Sequence, residues 1–173
     1  MKAGALLLAL VAMSVASCGY HAVYASGEGA RFHVVLVRSL VPDAVSADEV
    51  LSGAREELAR EGALAAGDGY PRVEIEVLRL DETSEGISAP KGSPSPIARG
   101  TEVAVVARAW LVASKDAPRE HDTGDVRAQD AITIGATAQA DSFQHADAAR
   151  AVARRVGQKL ARRVLGHPAA TQE

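Results

Sequence analysis

One thiol stands where covalent chemistry could occur. Cys18 is the only cysteine of the chain, and it follows the apolar stretch of residues 5–15 and two small residues. The stretch is shorter than the roughly 20 residues that a membrane-spanning helix needs. With Lys2 as a positive start, this order predicts a secretory signal over residues 1–17. A lone thiol can form neither an internal disulfide nor a cysteine-based metal site.

The other residue types that catalyse reactions or ligate metals form no recognisable motif. No two histidines have the spacing of a metal-binding helix, and the sequence lacks a nucleophile elbow and a glycine-rich phosphate loop. Glu74 and Glu76 fall on the same face of a predicted strand without an acid or base partner. The sequence therefore predicts no catalytic residue, no metal ligand and no cofactor. The histidines are His21, His33, His121, His145 and His167.

Charge and composition narrow the choice of partners. The chain has 19 basic and 22 acidic residues, for a formal net charge of −3. A nucleic-acid-binding domain requires a strongly basic surface, so we expect no nucleic-acid partner. Aromatic residues make up only 3% of the chain, which leaves few side chains of the kind that anchor protein interfaces.

The first half of the chain predicts a strand followed by a helix. Residues 31–38 are rich in β-branched residues, and apolar side chains on both faces favour a central strand. Ser46 and Glu49 have the spacing of a capping box, which predicts a helix over residues 46–61. Gly62 is suited to end that helix.

The second half predicts three strands and a second helix. Alternation of apolar and charged residues begins at Val73 and marks a half-buried strand. The proline-rich residues 81–98 predict a long loop. Two further strands are expected over residues 101–113 and 126–136. From Ser142 onward an apolar stripe of helical period predicts a helix that ends at Gly166.

These elements predict an α+β fold with two layers. Two amphipathic helices would cover one face of a four-stranded mixed or antiparallel sheet, in the order β-α-β-β-β-α. The predicted organisation has a signal over residues 1–17, a tether over residues 18–30, one domain over residues 31–166 and a tail over residues 167–173.

The residues around the thiol carry a resemblance to a known family. Val15-Ala16-Ser17-Cys18 resembles the lipobox of bacterial lipoproteins, in which the cysteine is acylated and becomes the first residue of the mature chain. Cys18-Gly19-Tyr20-His21, together with the order of elements, resembles the LPS-assembly lipoprotein (LptE) family over essentially the whole mature chain. The proline-rich segment and the arginine-rich last helix also lie where that family has them.

The resemblance implies a non-enzymatic role in the envelope. It implies lipidation at Cys18 and an outer-membrane location facing the periplasm, with which Gly19 is consistent. The implied partners are a β-barrel LPS translocon (LptD-like), for which the protein would be a plug, lipopolysaccharide, and the membrane through the lipid. Lipopolysaccharide carries phosphates, so cations on predicted loops are the candidate contacts. They are Lys91, Arg99, Lys115 and Arg119.

Other roles stay open from the sequence. Small α+β lipoproteins also serve as pilots of secretins or as auxiliary components of envelope transporters, and fold alone does not separate these roles. A periplasmic enzyme without a recognisable motif is the third alternative.

Overall fold

A computed structural model describes residues 29–88, 97–133 and 138–166. They form two helices and a five-stranded mixed sheet, in the order β-α-β-β-β-β-α. The elements are β1 (His33–Ser39), α1 (Ala44–Arg60), β2 (Arg72–Ser88), β3 (Ile97–Val112), β4 (Arg119–Glu120), β5 (Val126–Thr133) and α2 (Ala138–Val164). The predicted α+β class with two helices is confirmed.

The sheet is built around the long hairpin of β2 and β3. β1 pairs with β2 in parallel, and β2 pairs with β3 antiparallel. β4 and β5 pair with successive parts of the same edge of β3. β4, a two-residue strand, was not predicted because it lies in a polar connection without period-two alternation.

The prediction that the first strand is central was wrong. β1 lies at an edge of the sheet and pairs only with β2. Its residue Val34 is buried against the helices, whereas Val37 is 42% exposed. Apolar side chains on both faces of a strand report what covers each face, and they carry no information on how many neighbouring strands there are.

The first helix begins before the predicted capping box. Asp43 is the N-cap, and its carboxylate accepts hydrogen bonds from the backbone N–H groups of Val45 and Ser46. Ser46 is therefore inside the helix and buried. Aspartate caps a helix as well as serine does. The structure uses Asp43, three residues before the predicted cap Ser46. Gly62 follows the helix with a positive φ of 68°, as its predicted role requires.

The predicted loop over residues 81–98 is largely strand. β2 continues to Ser88, which pairs with Ile97 at the start of β3. Of the predicted loop, residues 89–96 lie outside the described residues. Pairing with β3 satisfies the backbone there even though the local sequence is polar. β5 ends at Thr133, and α2 begins at Ala138, four residues before the predicted start.

The hydrophobic core lies between the helices and one face of the sheet. It contains fully buried side chains from α1, from α2 and from the strands. They include Val50, Leu58, Val73, Ile75, Val77, Val105, Val152, Val156 and Leu160. Across the described residues, no helix combines the length and apolar character that a membrane span requires.

Candidate functional site

The structure does not bring the four predicted loop cations to one place. Lys115 is exposed in the turn after β3, and Arg119 lies in β4 opposite Val112. Arg99 lies near the other end of β3, roughly 40 Å away along the strand at the usual rise per residue. The side chain of Arg99 falls outside the description, as do Lys91 and the lipidation candidate Cys18. A role of each in binding stays a prediction.

Arg119 is held by an aromatic cluster on the sheet face opposite the helices. Its guanidinium lies 3.9 Å from the centroid of the Trp110 ring. The indole Nε1–H of Trp110 donates to Oε2 of Glu74 at 2.7 Å, and Nε–H of Arg72 donates to the other carboxylate oxygen at 2.8 Å. Arg72 in turn stacks over the ring of Tyr70. The buried indole N–H and carboxylate are thus paired within the cluster, and the guanidinium of Arg119 packs on its surface.

Three cations that were not predicted as a site converge at the free edge of β5. Arg127 of β5 and Arg155 and Lys159 of α2 line an open cavity of about 240 Å³, with Ala128 and Gln129. Among the residues that the structure describes, no carboxylate lines this cavity. We call these three cations, with Ala128 and Gln129, the basic pocket.

Two cations of the basic pocket are already paired at its rim. Arg127 donates to Glu102 at 2.5 Å, and Arg155 donates to Asp130 at 3.0 Å. Lys159 Nζ reaches only a backbone carbonyl, that of Arg127, at 3.4 Å. Among the described residues, Lys159 thus has no acidic partner, and the pocket keeps one uncompensated positive charge. A phosphate could accept from Lys159 and from the exposed guanidinium edges.

A ridge of three cations on one side of α2 covers the free edge of β5. Arg155, Lys159 and Arg163 are four residues apart, so they project from one side of the helix. They donate to the backbone carbonyls of Gln129 at 3.2 Å, Arg127 at 3.4 Å and Thr123 at 3.1 Å. This spacing is visible in the sequence. Which strand the ridge meets depends on the register of β5, which the sequence does not provide.

A larger groove on the outer side of the helices contains carboxylates as well as arginines. Its volume is about 420 Å³, and its walls carry Arg150, Arg154 and Arg155 together with Glu49 and Asp147. Arg154 donates to Glu49 at 2.9 Å, and that hydrogen bond raises the pKa of the guanidinium above its ordinary value. Arg150 pairs with Asp147 at 2.9 Å. The arginines here therefore tie the helices together and leave less free charge than the basic pocket does.

The described part of the chain contains no group of three or more His, Cys, Asp or Glu side chains placed to hold a metal ion.

The most buried carboxylate among the described residues, that of Glu57, is paired across the two helices. Glu57 of α1 accepts from Arg162 of α2 at 2.7 Å and from Arg60 one turn on. Its hydrogen bond raises the pKa of Arg162. These contacts stabilise the helix pair.

Comparison with solved structures shows where this fold occurs. A minor lipoprotein from Acinetobacter baumannii superposes with a TM-score of 0.53 at 12% identity, over 79% of this chain and 90% of that one. A putative lipoprotein from Caulobacter crescentus superposes with a TM-score of 0.50 at 13% identity, over 74% and 86%. No family model and no curated protein sequence matches the chain. The chain shares the fold of these proteins.

Proposed function

We propose that this protein is an outer-membrane lipoprotein that acts with a β-barrel translocon in the insertion of lipopolysaccharide. It is held at the periplasmic side by acyl chains on Cys18, and it has no enzymatic activity. One combination carries the proposal: a lipobox-like sequence ending at Cys18 directly precedes a domain whose fold is similar to that of two bacterial lipoproteins.

The domain has the properties that such a role needs. Helix-to-helix ion pairs and a continuous core make the two-layer body rigid, so it can occupy a barrel without deforming. The basic pocket offers one uncompensated cation, Lys159, beside two guanidinium groups. The phosphates of the lipid headgroup are the matching ligands.

Pull-down of the lipidated protein from native envelopes tests the partner. Recovery of a large β-barrel, with loss of surface lipopolysaccharide when the protein is depleted, would support the proposal. Recovery of a secretin instead, or normal surface lipopolysaccharide after depletion, would overturn it.

The ligand contact has a separate test. We expect the charge-removing double variant Arg155→Gln, Lys159→Gln to bind purified lipopolysaccharide at least tenfold more weakly than the unmodified protein. The matched control is Arg79→Gln, which removes a cation of β2 whose side chain is 65% exposed. Equal affinity of the double variant and the unmodified protein, with both folded by circular dichroism, would exclude the basic pocket.

A further inference from the structure

The two free edges of the sheet differ in how many of their outward carbonyl groups accept a hydrogen bond from a side chain. On β5, Arg155 and Lys159 of α2 hold two outward carbonyl groups, and Arg163 holds the carbonyl of Thr123 just before the strand. On β1, the only such contact in the described residues comes from Arg55, whose guanidinium donates to the carbonyl of Val34 at 3.3 Å. An edge strand with unpaired backbone groups is a template for a further strand, and proteins usually block it.

The beginning of β1 already accepts an added segment from the same chain. The backbone N–H of Phe32 donates to the carbonyl of Ala63 at 2.8 Å, and the N–H of Ala65 donates to the carbonyl of Phe32 at 2.9 Å. These bonds form a one-residue parallel bridge between Phe32 and Leu64. The outer edge of β1 therefore continues a strand-pairing site, and within the described residues this pairing stops at Phe32, just before the strand.

The rest of that edge is open. Outward backbone groups alternate along β1, as Phe32 and Val34 show, so Leu36 also points outward. The bulge after Leu36 shifts the phase, and Leu40 then donates inward to Val77 at 2.9 Å, which leaves Ser39 outward. Among the described residues, no bond from outside the sheet reaches the backbone of Leu36 or Ser39. We call Leu36–Ser39 the open edge.

Apolar side chains lie beside the open edge. Val37 is 42% exposed and Leu40 is 52% exposed. Leu40 also lines a cavity of about 290 Å³, whose other apolar walls are Val41, Pro42, Leu78 and Leu80. An added strand would place alternate side chains on this surface, which is how strand addition obtains specificity.

The charge beside the open edge selects the partner. Arg55 reaches this edge at the carbonyl of Val34, is exposed and, in the described residues, makes no ion pair. The Arg38 side chain is 65% exposed, with its one carboxylate partner, Glu76, at 3.6 Å. Arg79 and Asp81, which also line the cavity beside Leu40, pair with each other at 3.6 Å and add no net charge. A complementary strand therefore carries acidic residues.

We propose that the open edge of β1 binds an extended peptide segment of a partner protein, in which aliphatic residues alternate with acidic ones. The segment adds a strand of about four residues to the sheet through backbone hydrogen bonds. Its aliphatic side chains cover Val37 and Leu40, and its carboxylates meet Arg38 and Arg55. This inference does not depend on the basic pocket or on lipopolysaccharide.

Two synthetic peptides of eight residues test this proposal with the full chain. One alternates valine with glutamate, and the other alternates valine with lysine. We expect the acidic peptide to slow amide hydrogen exchange at Leu36 and Ser39, and the basic peptide to leave both unchanged. Binding of both peptides alike, protection confined to another element, or absence of binding would overturn the proposal.

Variants make the test specific to the open edge. The double variant Val37→Glu, Leu40→Glu places anions on two exposed side chains and should weaken the acidic peptide at least tenfold, because it removes the apolar contacts and repels the carboxylates of the peptide. Phe143→Glu is the matched control, since Phe143 is 62% exposed on α2. Equal weakening by the control would overturn the proposal. So would amides at Leu36 and Ser39 that are already protected in the free protein, or a dimer formed through this edge.

Discussion

Gly53 and Gly157 lie at the same crossing of α1 and α2, each against the backbone of the other helix. A Cβ on Gly157 would lie 2.0 Å from the carbonyl oxygen of Val50, and a Cβ on Gly53 would lie 2.0 Å from that of Arg154. Each contact is far below van der Waals distance and meets backbone rather than a flexible side chain. The helices can approach this closely because both residues are glycine and carry no Cβ.

Gly157→Ala is therefore expected to destabilise the protein. Alanine gains about 1 kcal/mol of helix propensity, but the helices must separate over a buried core. We expect a net loss of about 2 kcal/mol in the free energy of unfolding, measured by urea denaturation. Gly29→Ala is the control, since no atom lies within 4 Å of its added Cβ. A stability gain in Gly157→Ala would show that the helices are not in close contact.

Trp110 and Glu74 are expected to act as a coupled pair. Trp110 is 2% exposed, and its indole N–H donates to a buried carboxylate. Trp110→Phe should cost about 2 kcal/mol, because a hydrogen bond to a charged group is lost. In a double-mutant cycle with Glu74→Gln, the two losses should fall short of additive. Full additivity in thermal and urea unfolding would contradict the pairing.

The N-cap of α1 predicts a dependence of stability on pH. The Ser46 hydroxyl, more than the backbone N–H groups, holds the pKa of Asp43 below its ordinary value of 3.8. The folded pKa is thus the lower one, so the stabilisation is complete above the unfolded pKa and is lost as the pH falls through the folded pKa.

Two substitutions of Asp43 separate the cap from the charge. Asp43→Asn retains a good capping residue, and its stability should fall less than that of the unmodified protein between neutral pH and a pH of about 3. Asp43→Ala should lose about 1 kcal/mol at neutral pH. The measurement is urea unfolding across this range. If Asp43→Asn loses as much stability toward acid as the unmodified protein does, the pH dependence comes from other carboxylates.

Cys18→Ala tests the anchor alone. The described elements begin downstream of Cys18 and contain no thiol, so the fold should be unchanged. We expect the variant to leave the membrane fraction and to incorporate no radiolabelled palmitate. Membrane association that persists at high salt would contradict the lipobox interpretation, and an altered circular dichroism spectrum would contradict the independence of the fold.

Sequence patterns predicted the helices better than the strand ends. The apolar stripe of α2, with Val152, Val156 and Leu160 on one side, determined its buried face. β2 continued past its alternating segment to Ser88, since pairing with β3 extends a strand through polar residues. The basic pocket was not predicted for a related reason. Arg127 and Lys159 meet only because β5 aligns beside α2, and local periodicity contains no such register.

The sequence by itself determined the α+β class, the two amphipathic helices and the position of Cys18 as the candidate anchor. Those properties are local, since they depend on residue type and on spacing within one element. Only the tertiary structure decided that β1 is an edge strand with open backbone groups while α2 closes the edge of β5. Edge and centre are relations between distant segments, and hydrogen bonds between strands fix them without a pattern in either strand alone.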